Sequence, residues 1–90
     1  MTQHKQYQDE VSAGPGGVMT DEVGVVTGDL TFATTLRGDG RADVCVQYTG
    51  AEEWYTMTGS PATVPPTGLG TLHQAVLTAA RTGGGAEVPR

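Results

Sequence analysis

Two strictly alternating runs joined by a glycine-rich tetrapeptide constrain this chain more than any other feature. Leu30, Phe32, Thr34 and Leu36 alternate with Thr31, Ala33, Thr35 and Arg37. After the turn, Ala42, Val44, Val46 and Tyr48 alternate with Asp43, Cys45, Gln47 and Thr49. A period of two is the mark of a half-buried strand. The intervening Gly38-Asp39-Gly40-Arg41 supplies the positive-φ residues that a tight connection needs. An antiparallel hairpin follows, with Phe32 and Tyr48 on its inward face.

Gly50-Ala51-Glu52 makes a second turn, and Glu53 to Thr58 reads as a third strand rich in β-favouring residues. Its faces conflict: Trp54, Thr56 and Thr58 share one side, Tyr55 and Met57 the other, and both carry apolar bulk. Gly59-Ser60-Pro61 ends this strand, and Pro65-Pro66 keeps the connector extended. A helix is expected to start from a cap at Thr67 or Thr71 and to run to about Thr82. Leu69, Leu72, Val76 and Ala80, joined by Leu77 and Ala79, form the stripe of a helix lying on a sheet. Arg81 suits the C-terminal end of the helix dipole, and Gly83 the position just past the end.

The expected fold is therefore α+β: an antiparallel β-meander with one C-terminal helix packed on one face, in the order β-β-β-α. The meander has three strands, or four if the valines around Val23 contribute one. Residues 20–82 are expected to form the single domain. Residues 1–19, interrupted by Gly14-Pro15-Gly16-Gly17, read as a flexible tail, and residues 83–90 as a frayed one. A unit of about 60 residues is marginal by itself, and a partner subunit is one usual supplement.

Cys45 is the only cysteine, so no intramolecular disulfide can form. The first residues contain no apolar segment typical of a secretory signal, and no apolar run reaches membrane-spanning length. A cytoplasmic location is the default expectation. Ten acidic residues against five basic ones give a formal charge of −5. Nucleic-acid backbones and anionic membranes both call for Lys and Arg, so this balance disfavours them as partners.

No stretch carries a catalytic or metal-binding signature, and no cofactor is implied. Ser60 lies in Gly-Ser-Pro, which lacks the Gly-x-Ser-x-Gly of a nucleophile elbow. Gly68-Leu69-Gly70 has His73 where a dinucleotide loop needs its third glycine. The neighbouring pairs Asp21-Glu22 and Glu52-Glu53 would point to opposite faces of a strand and cannot easily converge on one ion. Cys45 is expected to be packed and inert. His4 has no evident partner, and His73 reads as a boundary residue beside the apolar stripe. His73 is also the one weak ligand-binding candidate.

Trp54, Tyr55 and Met57 are the candidate interface, because aromatics beside methionine are typical of contact hot spots. The leading expectation is a non-catalytic protein-interaction or regulatory module, most simply a homodimer. The order of elements from Asp29 to Thr82 resembles that of HicB-type antitoxins and, with a leading helix added, that of double-stranded-RNA-binding domains. That resemblance implies a regulator linked to nucleic acid. The basic cluster at the start of the last helix in the RNA-binding family has no counterpart in Thr67 to Gln74. A third expectation is a small-molecule binder with Trp54, Tyr55 and His73 around a pocket.

Overall fold

The computed structural model describes residues 5–89. The strands are β1 (Gln6–Ser12), β2 (Val18–Thr20), β3 (Gly24–Val26), β4 (Asp29–Leu36), β5 (Arg41–Tyr48), β6 (Tyr55–Thr56) and β7 (Ala62–Thr63), followed by the helix α1 (Leu69–Thr82). The main sheet is antiparallel in the order β1-β4-β5-β6, and β7 pairs with β5 on the same side as β6. A second, two-stranded sheet joins β2 and β3. Of the described helices, none is long and apolar enough to cross a membrane.

The hairpin is as its alternation requires. Leu36 pairs with Ala42, and the Arg37 amide donates to the Arg41 carbonyl at 2.7 Å. Gly40 takes a φ of 80°, which an L side chain adopts only with strain. Leu30, Phe32, Val44 and Val46 are wholly buried in one core cluster with Leu69, Leu72, Val76, Leu77 and Ala80 of α1. A fully buried Phe or Leu contributes about 1.5–3 kcal/mol of transfer free energy, so this layer contact dominates the core. Tyr48 shares the inward parity but lies at the end of β5 and is 42% exposed, contrary to expectation.

The third strand is shorter than its composition predicts, and its two faces are resolved. Tyr55 lies opposite Val46, and the Met57 amide donates to the Val44 carbonyl, so Tyr55 and Met57 take the inward parity. Met57 also bridges Thr20, while the Asp21 amide donates to the Thr56 carbonyl and that of Thr58 to the Met19 carbonyl. The β2-β3 pair thus attaches to the main sheet through this segment instead of adding a strand to the meander.

Both presumed tails belong to the fold. β1 runs antiparallel to β4 over seven successive pairs, from Gln6 with Thr35 to Ser12 with Asp29. Its Val11 joins the core, and α1 lies across β1 as well as β4. Residues 83–88 return beside 14–19: the amides of Gly84, Gly85 and Ala86 donate to the carbonyls of Pro15, Gly16 and Gly17. Val88 is then buried, with its amide on the Thr58 carbonyl. The glycines that suggested flexibility are there because two backbones touch. A Cβ on Gly14 would meet Arg81 and Thr82 backbone atoms, and one on Gly83 would meet Pro15 and Gly14.

The helix ends where Gly83 was expected to end it, with the Gly83 amide on the Ala79 carbonyl. Its start differs, because Gly68 occupies the cap position and no side chain caps it.

Candidate functional site

His73 is not a boundary residue. It is fully buried between α1 and the sheet, and three inward-facing groups meet it there. Thr34 of β4 places Oγ1 2.8 Å from its Nδ1, and Asp9 of β1 places Oδ2 2.8 Å from its Nε2. The Tyr7 ring stacks on the imidazole with centroids 5.5 Å apart. Tyr7, Asp9 and Val11 alternate inward along β1, which is how an acidic residue comes to face the helix. Gly70 makes room for this arrangement, since a Cβ there would sit 3.2 Å from the Tyr7 hydroxyl. This glycine in the first turn of the helix therefore accommodates an aromatic ring.

An ionised carboxylate only accepts, so Nε2–H donates to Asp9. The Thr34 hydroxyl can donate to Nδ1 or accept from it, which satisfies the ring in either protonation state. No buried side-chain polar atom lacks a partner among the described residues. The Asp-His-Thr connectivity is that of a nucleophilic triad, but such a nucleophile must reach a substrate. Thr34 has no exposed surface. The cluster ties the edge strand, the sheet and the helix together.

The surface candidates lie elsewhere. Trp54 precedes β6 and is 41% exposed. Tyr55 is half-buried against the core, and its hydroxyl donates to the Glu53 carboxylate at 2.9 Å. That bond, together with desolvation, raises the phenol pKa. Met57 is entirely buried, so it is removed from the candidate interface. His4 lies outside the described residues. Cys45 is half-buried on the outer face, and burial, then Asp43 and Glu22, push its thiol up. Arg37 does not offset them, because its guanidinium is held by Asp39 and Asp43. Glu22 accepts from both the amide and the hydroxyl of Thr56, which hold its carboxyl below the usual range.

An apolar cleft of about 560 Å³ opens between α1 and the connector, lined by Pro61, Ala62, Pro65, Leu72, Ala75 and Pro89 among others. None of Trp54, Tyr55 and His73 lines it. The described residues hold no cluster of His, Cys, Asp and Glu suited to a metal ion.

The feature that sequence reasoning missed is the outer edge of β1. The Leu36 amide donates to the Lys5 carbonyl at 2.7 Å, and that of Ala13 to the Gly28 carbonyl at 2.9 Å. Hydrogen-bonded pairs alternate along an antiparallel ladder. With this register, Tyr7, Asp9 and Val11 turn their backbone groups toward β4. Gln6, Gln8, Glu10 and Ser12 turn theirs away, and all four residues are exposed. No described strand pairs with that side.

Neither a family model, nor a curated protein, nor a solved structure matches this chain.

Proposed function

We propose that this chain is a non-catalytic protein-interaction module that takes up an extended partner segment along β1. The observation that carries this reading is the free edge, with the outward N–H and C=O groups of Gln6, Gln8, Glu10 and Ser12 all exposed. Isolated edges are usually blunted by proline, a bulge, brevity or charged side chains. β1 has no proline, its seven pairs run without a bulge, and of its two carboxylates Asp9 is bound to His73, which leaves Glu10 as the one outward charge. It is also held rigidly, as Asp9 is fixed to His73 and Val11 to the core. A preorganised edge loses little conformational entropy when a strand adds to it.

Displayed random peptides selected against the full chain test this. Binders should shift the backbone amide resonances of Gln6, Gln8, Glu10 and Ser12, and Gln8→Pro should abolish their binding. Binders that ignore Gln8→Pro, or no binders to the chain at dilutions where it is monomeric, would remove the proposal.

The cleft supports a second reading, the binding of a small neutral ligand. Its volume falls within the range of ligand pockets, and no titratable side chain lines it. A thermal-shift screen of uncharged apolar metabolites, with Ala75→Trp as the blocked control, tests that reading directly.

A further inference from the structure

We propose that the segment added to β1 is the β1 strand of a second copy of this chain, with Gln8 on the two-fold axis. The proposal rests on the strand-addition reading above and names the partner.

Backbone parity restricts the choice. Only the even-numbered residues of β1 present their amides and carbonyls outward, so an antiparallel partner must pair even with even. For two identical strands related by a two-fold axis, that leaves a short series of registers. Full overlap opposes Asp9 to the Asp9 of the second copy. A shift by one pair in one direction opposes Glu10 to its own copy. Like charges directly across a ladder are destabilising.

The shift in the other direction puts Gln8 on the axis. It sets Gln6 against Glu10, Tyr7 against Asp9 and Lys5 against Val11, so no carboxylate faces another. The hydrogen-bonded pairs are then Gln6 with Glu10 of the second copy, Gln8 with Gln8 of the second copy, and Glu10 with Gln6 of the second copy. All of these are exposed in the single chain. The carboxamides of Gln6 and Gln8 supply donors to the facing Glu10 and to each other. The charge pattern also accounts for why this polar strand can pair with itself despite a formal charge of −5 per chain.

The product is one continuous antiparallel sheet in which the two β1 strands are central, with a helix on the same face of each half. Pairing would remove the exposed edge that each chain presents by itself.

The test is the solution mass across a dilution series of the full chain. Light scattering should give twice the 9.3 kDa of one chain at high concentration. Gln8→Pro deletes an outward N–H that bonds to none of the described residues, and proline suits such an edge position. It should halve the mass and leave the far-ultraviolet circular dichroism unchanged. A wild-type monomer throughout would overturn self-pairing, yet edge-dependent peptide binding would still stand. A dimer that survives Gln8→Pro would overturn the edge as the contact.

If Gln8→Pro does not fold, hydrogen exchange in the wild-type chain decides. The amides of Gln6, Gln8 and Glu10 should gain protection with concentration, and failure to do so overturns the proposal. Single cysteines on a Cys45→Ser background read the register. Gln8→Cys should crosslink two chains on oxidation and Glu10→Cys should not, because only position 8 meets its own copy. The reverse result would overturn the register.

Discussion

Replacing Gly83 with alanine probes the least expected feature of this fold, the packing of one glycine-rich backbone against another. Gly83 has a φ of 80°, and a Cβ there would lie 2.5 Å from the Gly14 carbonyl carbon and 2.6 Å from its oxygen, with Pro15 closer still. Two penalties therefore combine. An L residue at positive φ costs about 1–2 kcal/mol, and up to about 3 kcal/mol at the ψ of −142° found at Gly83, a region nearly confined to glycine. Forcing a methyl group into a closed contact costs about 1–3 kcal/mol more, because the neighbours are backbone atoms that cannot rotate aside. Gly83→Ala should thus lose about 2–6 kcal/mol in total. The adjacent Gly84 has a φ of 72° and open space where its Cβ would go. Gly84→Ala carries only the first penalty, about 1–2 kcal/mol. Any gain from restricting the unfolded chain is the same for both and cancels in the difference. Urea unfolding followed by circular dichroism should separate the two variants by about 1–4 kcal/mol, with equal m-values. In a thermal scan each kcal/mol corresponds to about 4–8 °C for a domain of this size. A difference below about 0.5 kcal/mol would show that residues 83–86 do not close on 14–17, and the account of the C-terminal segment would fail.

Three further outcomes follow from the cluster and the outer face. Thr34→Val should cost about 1–3 kcal/mol by leaving Nδ1 of His73 alone in the core. Asp9→Ala should cost less than about 1 kcal/mol, because the half-exposed site admits water to Nε2; the opposite ranking in urea unfolding would contradict the geometry. Cys45 should react with iodoacetamide more slowly in the folded chain than in urea near pH 8, since its raised pKa leaves less thiolate. Asp43→Asn should speed the folded-state reaction, and equal rates in folded and unfolded chain would refute the buried placement. Glu22 has a folded pKa below 4.5, so the stability it contributes is present above that value and is lost as pH falls through the lower folded value. Glu22→Gln should melt below the wild type at neutral pH, with the gap closing in acid; a gap that widens in acid would reverse the sign of the argument.

What the sequence disclosed follows from how local each signal is. The β4-β5 hairpin and the α1 stripe were legible because their apolar periods and turn residues are contiguous. β1 was not, because Asp9 occupies the centre of its inward row and reads as a solvent residue. Its compensation by His73 lies 64 residues away, beyond any window of periodicity. The conflict within the third strand resolved only with register, since pairing with β5 decides that Tyr55 and Met57 face inward, while Trp54 lies before the strand and is exposed. The C-terminal segment misled for a different reason. Glycine favours flexibility in an isolated chain, yet it also permits the closest approach of two backbones. The sequence does not distinguish these uses; Gly14 and Gly83 serve the second.

The same parity that hid β1 connects the buried cluster to the surface proposed for binding. In an antiparallel strand, side chains and backbone groups alternate together, so one register fixes both. When Asp9 is held at His73, Tyr7 against the imidazole and Val11 in the core, the odd residues are committed inward and to β4. The even residues are thereby committed to the outer face and the free edge. A slip of β1 by one residue would withdraw Asp9 from His73 and turn Gln8 and Glu10 toward the helix. Hence the His73 cluster, though closed to any substrate, governs which amides the edge offers. On this account Thr34→Val or Asp9→Ala acts on binding only as far as it loosens that register, whereas Gln8→Pro removes the contact and leaves the cluster intact.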